Sequence, residues 1–187
     1  MNPYESFSHG LVTSKIWLCD ELEKVLASRE STTINILGCW DNLLTFMLIV
    51  RKPTSYKSLC GYDLNAESIN AANKICDAWV FESTKVYNHV ADVNKLQFTD
   101  NTHVFINCSV DQFESNEWYD NIPIGSTICI QSTDMPIGNS KWEINQSVSS
   151  ITEFENRYKM STTLFSGTFY IDYGSWGYNR FMIIGIK

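Results

Sequence analysis

The sequence has no CxxC pair, no Cys/His cluster at zinc-ligand spacing and no apolar run approaching the length of a membrane span. Its first residues, MNPYESFSHG, carry neither a basic start nor a following apolar stretch, so no signal peptide is expected. No internal repeat or low-complexity tract is present. Positive charge is scarce: 14 Lys and Arg stand against 21 Asp and Glu, for a net charge of −7, and the basic residues are scattered. Such a surface repels phosphate backbones, which argues against non-specific nucleic-acid binding. The three histidines, His9, His89 and His103, have no partners at motif spacing. These absences speak against zinc modules, membrane spans and basic nucleic-acid coats.

What is present is enough chain, 187 residues, for one domain with a sizeable core. We expect a single domain over residues 1–187, with a helical segment in 1–30 and an α/β core in 33–187. Six cysteines occur, and Cys39, Cys60, Cys108 and Cys129 lie in or beside apolar segments that read as strands. There a reduced thiol behaves as a small apolar residue, as expected in a cytoplasmic protein.

The stretch Thr33 to Asp63 organises the rest. Ile34, Ile36 and Leu37 form a short apolar strand ending at Gly38. Asp41 and Asn42 precede the apolar run Leu43 to Val50, long enough for a buried helix that Pro53 closes, and Ser58 to Tyr62 read as a second strand ending on Asp63. Strand, crossover helix and strand make a βαβ unit. A glycine ending the first strand lets a ligand approach the backbone, and an acid ending the second accepts hydrogen bonds from a ribose, so the pair suits a nucleoside site.

Around this unit, Ser14 to Ser28 reads as an amphipathic helix with Leu18, Leu22, Val25 and Leu26 on one face. Asn65 is a candidate N-cap for a helix presenting Ile69, Ala72, Cys76 and Trp79. Thr84 to Val90, Thr102 to Asn107 and Ser126 to Gln131 read as strands, Glu114 to Tyr119 as a short helix, and Ser150 to Glu153 has capping-box spacing for a last helix. Asp134 to Ser147 is a long polar loop of the kind that is often functional. Thr162 to Ile171 and Tyr178 to Ile186 form a terminal antiparallel hairpin. The β/α alternation implies a mostly parallel sheet covered by helices on both faces.

At this point the chain resembles class I S-adenosylmethionine-dependent methyltransferases, over nearly everything from Thr33 to Lys187. It looks closest to small methyltransferase-like proteins of tailed phages. The segments that carry this likeness are Ser14–Leu18, Ile36–Trp40, Ile106–Ser109, Trp118–Pro123, Gln131–Ser132 and Arg180–Gly185. The resemblance implies a Rossmann-like seven-stranded, mostly parallel sheet with a C-terminal antiparallel hairpin. It also implies S-adenosylmethionine as cofactor, no metal, a small-molecule or macromolecular methyl acceptor, and a cytoplasmic location (the host's, if phage-encoded). The chain departs from the family where two or three glycines are usual: only Gly38 remains, followed by Cys39 and Trp40. Where the phage group carries an acid–His pair, this chain has Asp111-Gln112.

By this resemblance Gly38, Cys39 and Trp40 form the turn under the methionine end of the cofactor, with Trp40 either narrowing the pocket or packing beneath it. Asp41 either contacts the cofactor amino group or caps the following helix. Asp63 accepts from both ribose hydroxyls. Leu64 packs against adenine or belongs to the core, and Asp92 accepts from the adenine amino group or is a plain turn acid. Asn107 faces the reacting methyl, with Ser109 close by, and Asp111 is a candidate general base. Lys15 and Trp17 are candidates to cover the cofactor. Tyr173, Trp176 and Tyr178 line a substrate entrance or simply pack the hairpin tip. Rival readings are transfer of the aminocarboxypropyl group, a non-catalytic cofactor-binding or interaction protein, and a nicotinamide-binding Rossmann domain. The single glycine and terminal hairpin speak against the last.

Overall fold

A computed structural model describes residues 5–29, 31–51, 56–77, 84–139 and 142–187. The expected roles of Pro53 and Trp79 lie outside these. Seven strands form one sheet: β1 (Thr32–Leu37), β2 (Tyr56–Asp63), β3 (Lys85–Val90), β4 (Val104–Asn107), β5 (Thr127–Thr133), β6 (Thr162–Asp172) and β7 (Gly177–Ile186). Their order is β3-β2-β1-β4-β5-β7-β6, and β7 runs antiparallel to both neighbours while β1 to β5 are parallel. The helices are α1 (His9–Val25), α2 (Leu43–Arg51), α3 (Ala66–Asp77), α4 (Glu117–Asp120) and α5 (Ile151–Arg157).

Strand alternation sorts the core into two layers. On one face Ile34, Ile36, Val104, Ile106, Cys129, Met182 and Ile184 meet Leu18 and Leu22 of α1, Leu44 and Leu48 of α2 and Ile69 of α3. On the other, Phe105, Ile128, Ile130, Phe181 and Ile183 meet Trp118 of α4 and Phe154 of α5. Central strands buried on both sides read as continuous apolar runs because neither face meets water. No helix among the described residues is long and apolar enough to cross a membrane.

Several boundaries differ from the sequence reading, and three of them have a visible physical reason. α1 begins at His9 rather than Ser14, because its first turn is held by tertiary contact and not by an apolar stripe. There the Gly10 N–H donates to the Tyr173 hydroxyl at 3.0 Å, and a β-carbon on Gly10 would fall 2.5 Å from the Tyr178 hydroxyl. β4 begins at Val104 rather than Thr102, because the Asp100 carboxylate takes the Thr102 N–H and hydroxyl at 2.9 and 2.6 Å and turns the chain. The short helix α4 begins at Glu117, where Asn94 Oδ1 accepts the Trp118 N–H at 3.0 Å. Cys39, Cys108 and Cys129 are buried as expected, whereas Cys60 is half-buried, and all six thiols are free.

Candidate functional site

The carboxyl ends of β1, β2, β3 and β4 meet in one place, and the candidate residues stand there. In-register pairing puts Leu37 beside Tyr62, Ile36 beside Ile106, and Asp63 beside Val90. The turn after β1 is left-handed at alternate residues, with φ of +69° at Gly38, +53° at Trp40 and +58° at Asn42. Gly38 and Cys39 both donate their N–H to the Tyr62 carbonyl, at 2.9 and 3.0 Å. The Trp40 N–H donates to Asp63 Oδ2 at 2.9 Å, and Asp63 Oδ1 accepts the Asn65 N–H at 2.9 Å. Asp63 thus fixes two turns at once and keeps a further lone pair on each oxygen.

Asp41 is buried, and its Oδ1 accepts the Leu43 N–H at 3.3 Å, so its carboxylate caps the start of α2. Among the described residues its own N–H has no acceptor, unlike those of Gly38, Cys39, Trp40, Asn42 and Leu43. Cys39 is buried beside Asp63. Burial, and then that carboxylate, push its thiol well above the ordinary range, so it stays protonated. Trp40 is half-buried, and the ring that closes on Gly38 is instead Phe113, which a β-carbon there would meet at 3.0 Å.

Leu64, next to Asp63, is 70% exposed and is not part of the core. The Ala91 N–H donates to the Asp63 carbonyl at 2.9 Å, which sets Asp92 close behind Asp63. Asp92 accepts the Asn94 N–H at 3.0 Å and pairs with Lys95 at 3.2 Å. Partial desolvation pushes its carboxyl up, but the bonds from Lys95 and Asn94 outweigh this and hold it below its ordinary value.

Asn107 ends β4 and is buried. Its Oδ1 accepts the Ser109 N–H at 3.0 Å, while its enclosed Nδ2 has no partner among the described residues. Such an orphaned donor costs about 1–3 kcal/mol. Asp111 sits in a single 3₁₀ turn, Val110–Gln112, fully enclosed and paired with Arg180 of β7 at 3.3 Å. Arg180 also donates to the Cys108 carbonyl at 2.6 Å. Burial drives the Asp111 carboxyl up; Arg180 draws it back only in part, leaving it above the ordinary carboxylate value.

The structure therefore brings Gly38, Cys39, Trp40, Asp41, Asp63, Leu64 and Asp92 to one edge of the sheet, at the carboxyl ends of β1 to β3, with Asn107 at the end of β4 and Asp111 in the turn that follows. Trp17 lies elsewhere, stacked on Phe169 at 5.5 Å and edge-on to Phe165, and Lys15 is buried in α1. Tyr173 and Trp176 are stacked on each other at 4.4 Å, with Tyr178 beside them and His9 edge-on. The long loop is stitched to the site: the Asp111 carbonyl accepts the Asn145 and Gln146 amides at 2.9 and 3.0 Å. Among the described residues no three of His, Cys, Asp and Glu are grouped to hold a metal.

Sequence reading gave Arg180, Phe113 and Tyr62 no role at the site. Arg180 had a signal, a lone cation heading an apolar strand; Phe113 had none, because its contact with Gly38 is non-local.

No family model matches the chain, and no curated protein does. Solved structures do. The N-methyltransferase NodS from Bradyrhizobium japonicum superposes with a TM-score of 0.64 at 11% identity over 92% of this chain and 96% of that one. A second NodS structure, in complex with S-adenosyl-L-homocysteine, gives 0.64 at 13% over 98% and 88%. The YcgJ protein from Bacillus subtilis gives 0.66 at 10% over 91% and 97%. A geranyl diphosphate C-methyltransferase from Streptomyces coelicolor, solved with S-adenosyl-L-homocysteine, gives 0.65 at 11% over 94% and 77%. At such identities the likeness is one of fold: the chain has the class I methyltransferase fold, with the antiparallel β7 inserted between β5 and β6.

Proposed function

We propose that this protein is an S-adenosylmethionine-dependent methyltransferase whose acceptor is a small molecule or a macromolecule. The observation that carries the reading is the Asp63 carboxylate, locked beside the Gly38 turn by the Trp40 N–H at 2.9 Å with lone pairs to spare. The cleft fits the cofactor's parts. Asp63 takes the ribose hydroxyls, Leu64 offers an exposed apolar face for adenine, and Asp92 stands where an adenine amino group would donate. The free Asp41 N–H suits the methionine carboxylate, and the orphaned Asn107 amide points to a polar partner near the reacting centre. S-adenosylmethionine supplies an electrophilic methyl on a sulfonium; the residues hold it, orient the acceptor and exclude water.

We assign Asp111 to positioning rather than proton transfer. Its carboxylate is closed off by Arg180, and together they brace the end of β4 through Cys108. The contact between Cys108 and Arg180 joins two of the segments that resemble the phage group, and we keep that resemblance as a proposal. We take the chain as one domain because α1 shares a core layer with β1 and β7. We place it in the cytoplasm, where six unpaired thiols stay reduced.

A second reading has its own observation. The amides of Gly38, Cys39 and Trp40 are already spent inside the protein, and Phe113 lies against Gly38. A protein that keeps the fold without catalysis would look so. Calorimetric titration with S-adenosylmethionine and S-adenosylhomocysteine separates the two. Micromolar-class binding that is lost in Asp63→Ala, with the variant still folded by circular dichroism, supports the enzyme. No binding by the folded wild type would remove it. Product analysis then tells methyl from aminocarboxypropyl transfer.

A further inference from the structure

The amino ends of β1, β2 and β4, at the edge of the sheet opposite Gly38 and Asp63, border an open pocket of about 520 Å³. Its lining includes Arg29, Thr32, Thr33, Lys57, Asp100 and His103. Among the described residues neither Arg29 nor Lys57 forms an ion pair, in a chain whose net charge is −7.

Among the described residues the lining sets one acid, Asp100, against these two cations. Asp100 accepts the Thr102 N–H at 2.9 Å and the Thr102 hydroxyl at 2.6 Å, and lies 3.2 Å from His103 Nε2. His103 is itself fixed. Asn35 Oδ1 accepts the Tyr62 hydroxyl at 3.3 Å, which turns the Asn35 amide nitrogen toward His103 Nδ1 at 3.3 Å. Nδ1 is then the acceptor, which leaves the proton on Nε2, on the side of Asp100. Bonds from neutral donors leave the Asp100 charge in place, within reach of Lys57, so the lining keeps one net positive charge facing a polar space. Like charges held over one pocket repel, and an anion between them relieves the repulsion. The volume lies in the range of about 300–1,000 Å³ typical of small-ligand sites, larger than a bare phosphate needs. Hydroxyls and an amide line the rest, with no exposed aromatic platform for a base.

We propose that this pocket binds a small phosphate monoester of sugar size, with the phosphate held by Arg29 and Lys57 and the hydroxyl-bearing part set against Thr32, Thr33 and Thr102. The site does not depend on the methyltransferase reading, since its residues and the cofactor cleft sit at opposite ends of the strands.

The test is an amide ¹⁵N chemical-shift titration of the full chain at constant ionic strength, with inorganic phosphate, ribose 5-phosphate and ribose as probes. The expected result is saturable shifts confined to Ser31–Thr33, Lys57 and Asp100–His103. Ribose 5-phosphate should bind more tightly than phosphate, and ribose should do nothing. The double variant Arg29→Gln/Lys57→Gln, both positions exposed so that folding is kept, should weaken binding tenfold or more. Shifts that are absent, scattered over unrelated lysines, or unchanged in the double variant would overturn the site. Tighter binding by a single-stranded oligonucleotide at the same amides would overturn the small-ligand assignment. S-adenosylhomocysteine, added separately, reports on the other cleft and leaves these amides unmoved.

Discussion

Asp111 and Arg180 are both nearly inaccessible, at 5% and 7% side-chain exposure, so their pairing is decided by desolvation and not by salt. Removing one partner leaves the other charge stranded, at a cost of about 3–5 kcal/mol, whereas replacing both by apolar side chains of similar volume is close to neutral. Asp111→Ala should therefore lower the denaturant midpoint sharply, and Asp111→Leu/Arg180→Met should recover most of it, as a double-mutant cycle would read. A base at position 111 would instead show as lost activity in a fully stable Asp111→Asn variant. Gly38 makes a different demand. At φ +69°, with Phe113 at 3.0 Å from any β-carbon, Gly38→Ala should destabilise by about 1 kcal/mol or more. Pairing it with Phe113→Ala should return the steric share but not the backbone share, by thermal melts of the four proteins. At this scale the glycine and the two strand-end acids were legible, because strand endings are marked by punctuation in the chain. Arg180 and Phe113 were not assigned their contacts, since these join residues 69 and 75 positions apart (180 − 111; 113 − 38).

Elements carry their own signatures. Helix α5 opens at Ser150, whose hydroxyl accepts the Glu153 N–H at 3.2 Å, as the capping-box spacing foretold. The return bond lands one residue earlier than the motif implies: Glu153 accepts the Ser149 N–H and hydroxyl, both at 2.8 Å, and then Arg157 at 2.9 Å. The Ser149 bonds first, and Arg157 after them, hold the Glu153 carboxyl below its ordinary value of 4.5. A lowered carboxyl stabilises the fold above its unfolded-state value and loses that contribution as pH falls through the folded one. Protection of the α5 amides in hydrogen exchange should therefore drop below about pH 4.5, and Glu153→Gln should flatten that acid dependence.

The turn after β1 rests on an amide ladder. Asn42, left-handed, takes the Thr45 hydroxyl on its Oδ1 at 2.6 Å and donates to Asn88 Oδ1 at 2.6 Å; Asn88 in turn donates to Asn73 at 3.0 Å. Asn88→Leu orphans the Asn42 amide at a cost of about 1–3 kcal/mol. It should also weaken S-adenosylhomocysteine binding by loosening the turn, which calorimetry alongside denaturation would check. Periodicity identified the helices and strands, but a ladder among Asn42, Asn73 and Asn88 leaves no periodic trace. Nor could it place the start of α1, which depends on Tyr173 some 163 residues away.

For the whole molecule, β/α alternation made the parallel sheet legible, and a terminal hairpin predicted antiparallel pairing. The hairpin alone does not say which of its strands lies inside. The burial does: β7 is apolar through Phe181–Ile184 and buried on both faces, whereas β6 is mostly exposed. The same logic bears on α1. Leu18, Cys19 and Leu22 are fully buried in one layer with Ile34 and Ile36 of β1 and with Met182 and Ile184 of β7, the first and last strands of the chain. Fully burying a leucine contributes about 1.5–3 kcal/mol, and a domain's whole stability is about 5–15 kcal/mol. Two leucines, a cysteine and the strand surfaces they cover are a large share of that total. The chain should therefore unfold as one unit, with far-UV circular dichroism and tryptophan fluorescence giving coincident urea transitions. Deleting residues 1–30 should abolish the cooperative transition rather than leave a smaller one. A truncated protein that melts cooperatively, or a full chain whose fluorescence changes before its helix content does, would show that α1 is an accessory to the sheet and not part of its core.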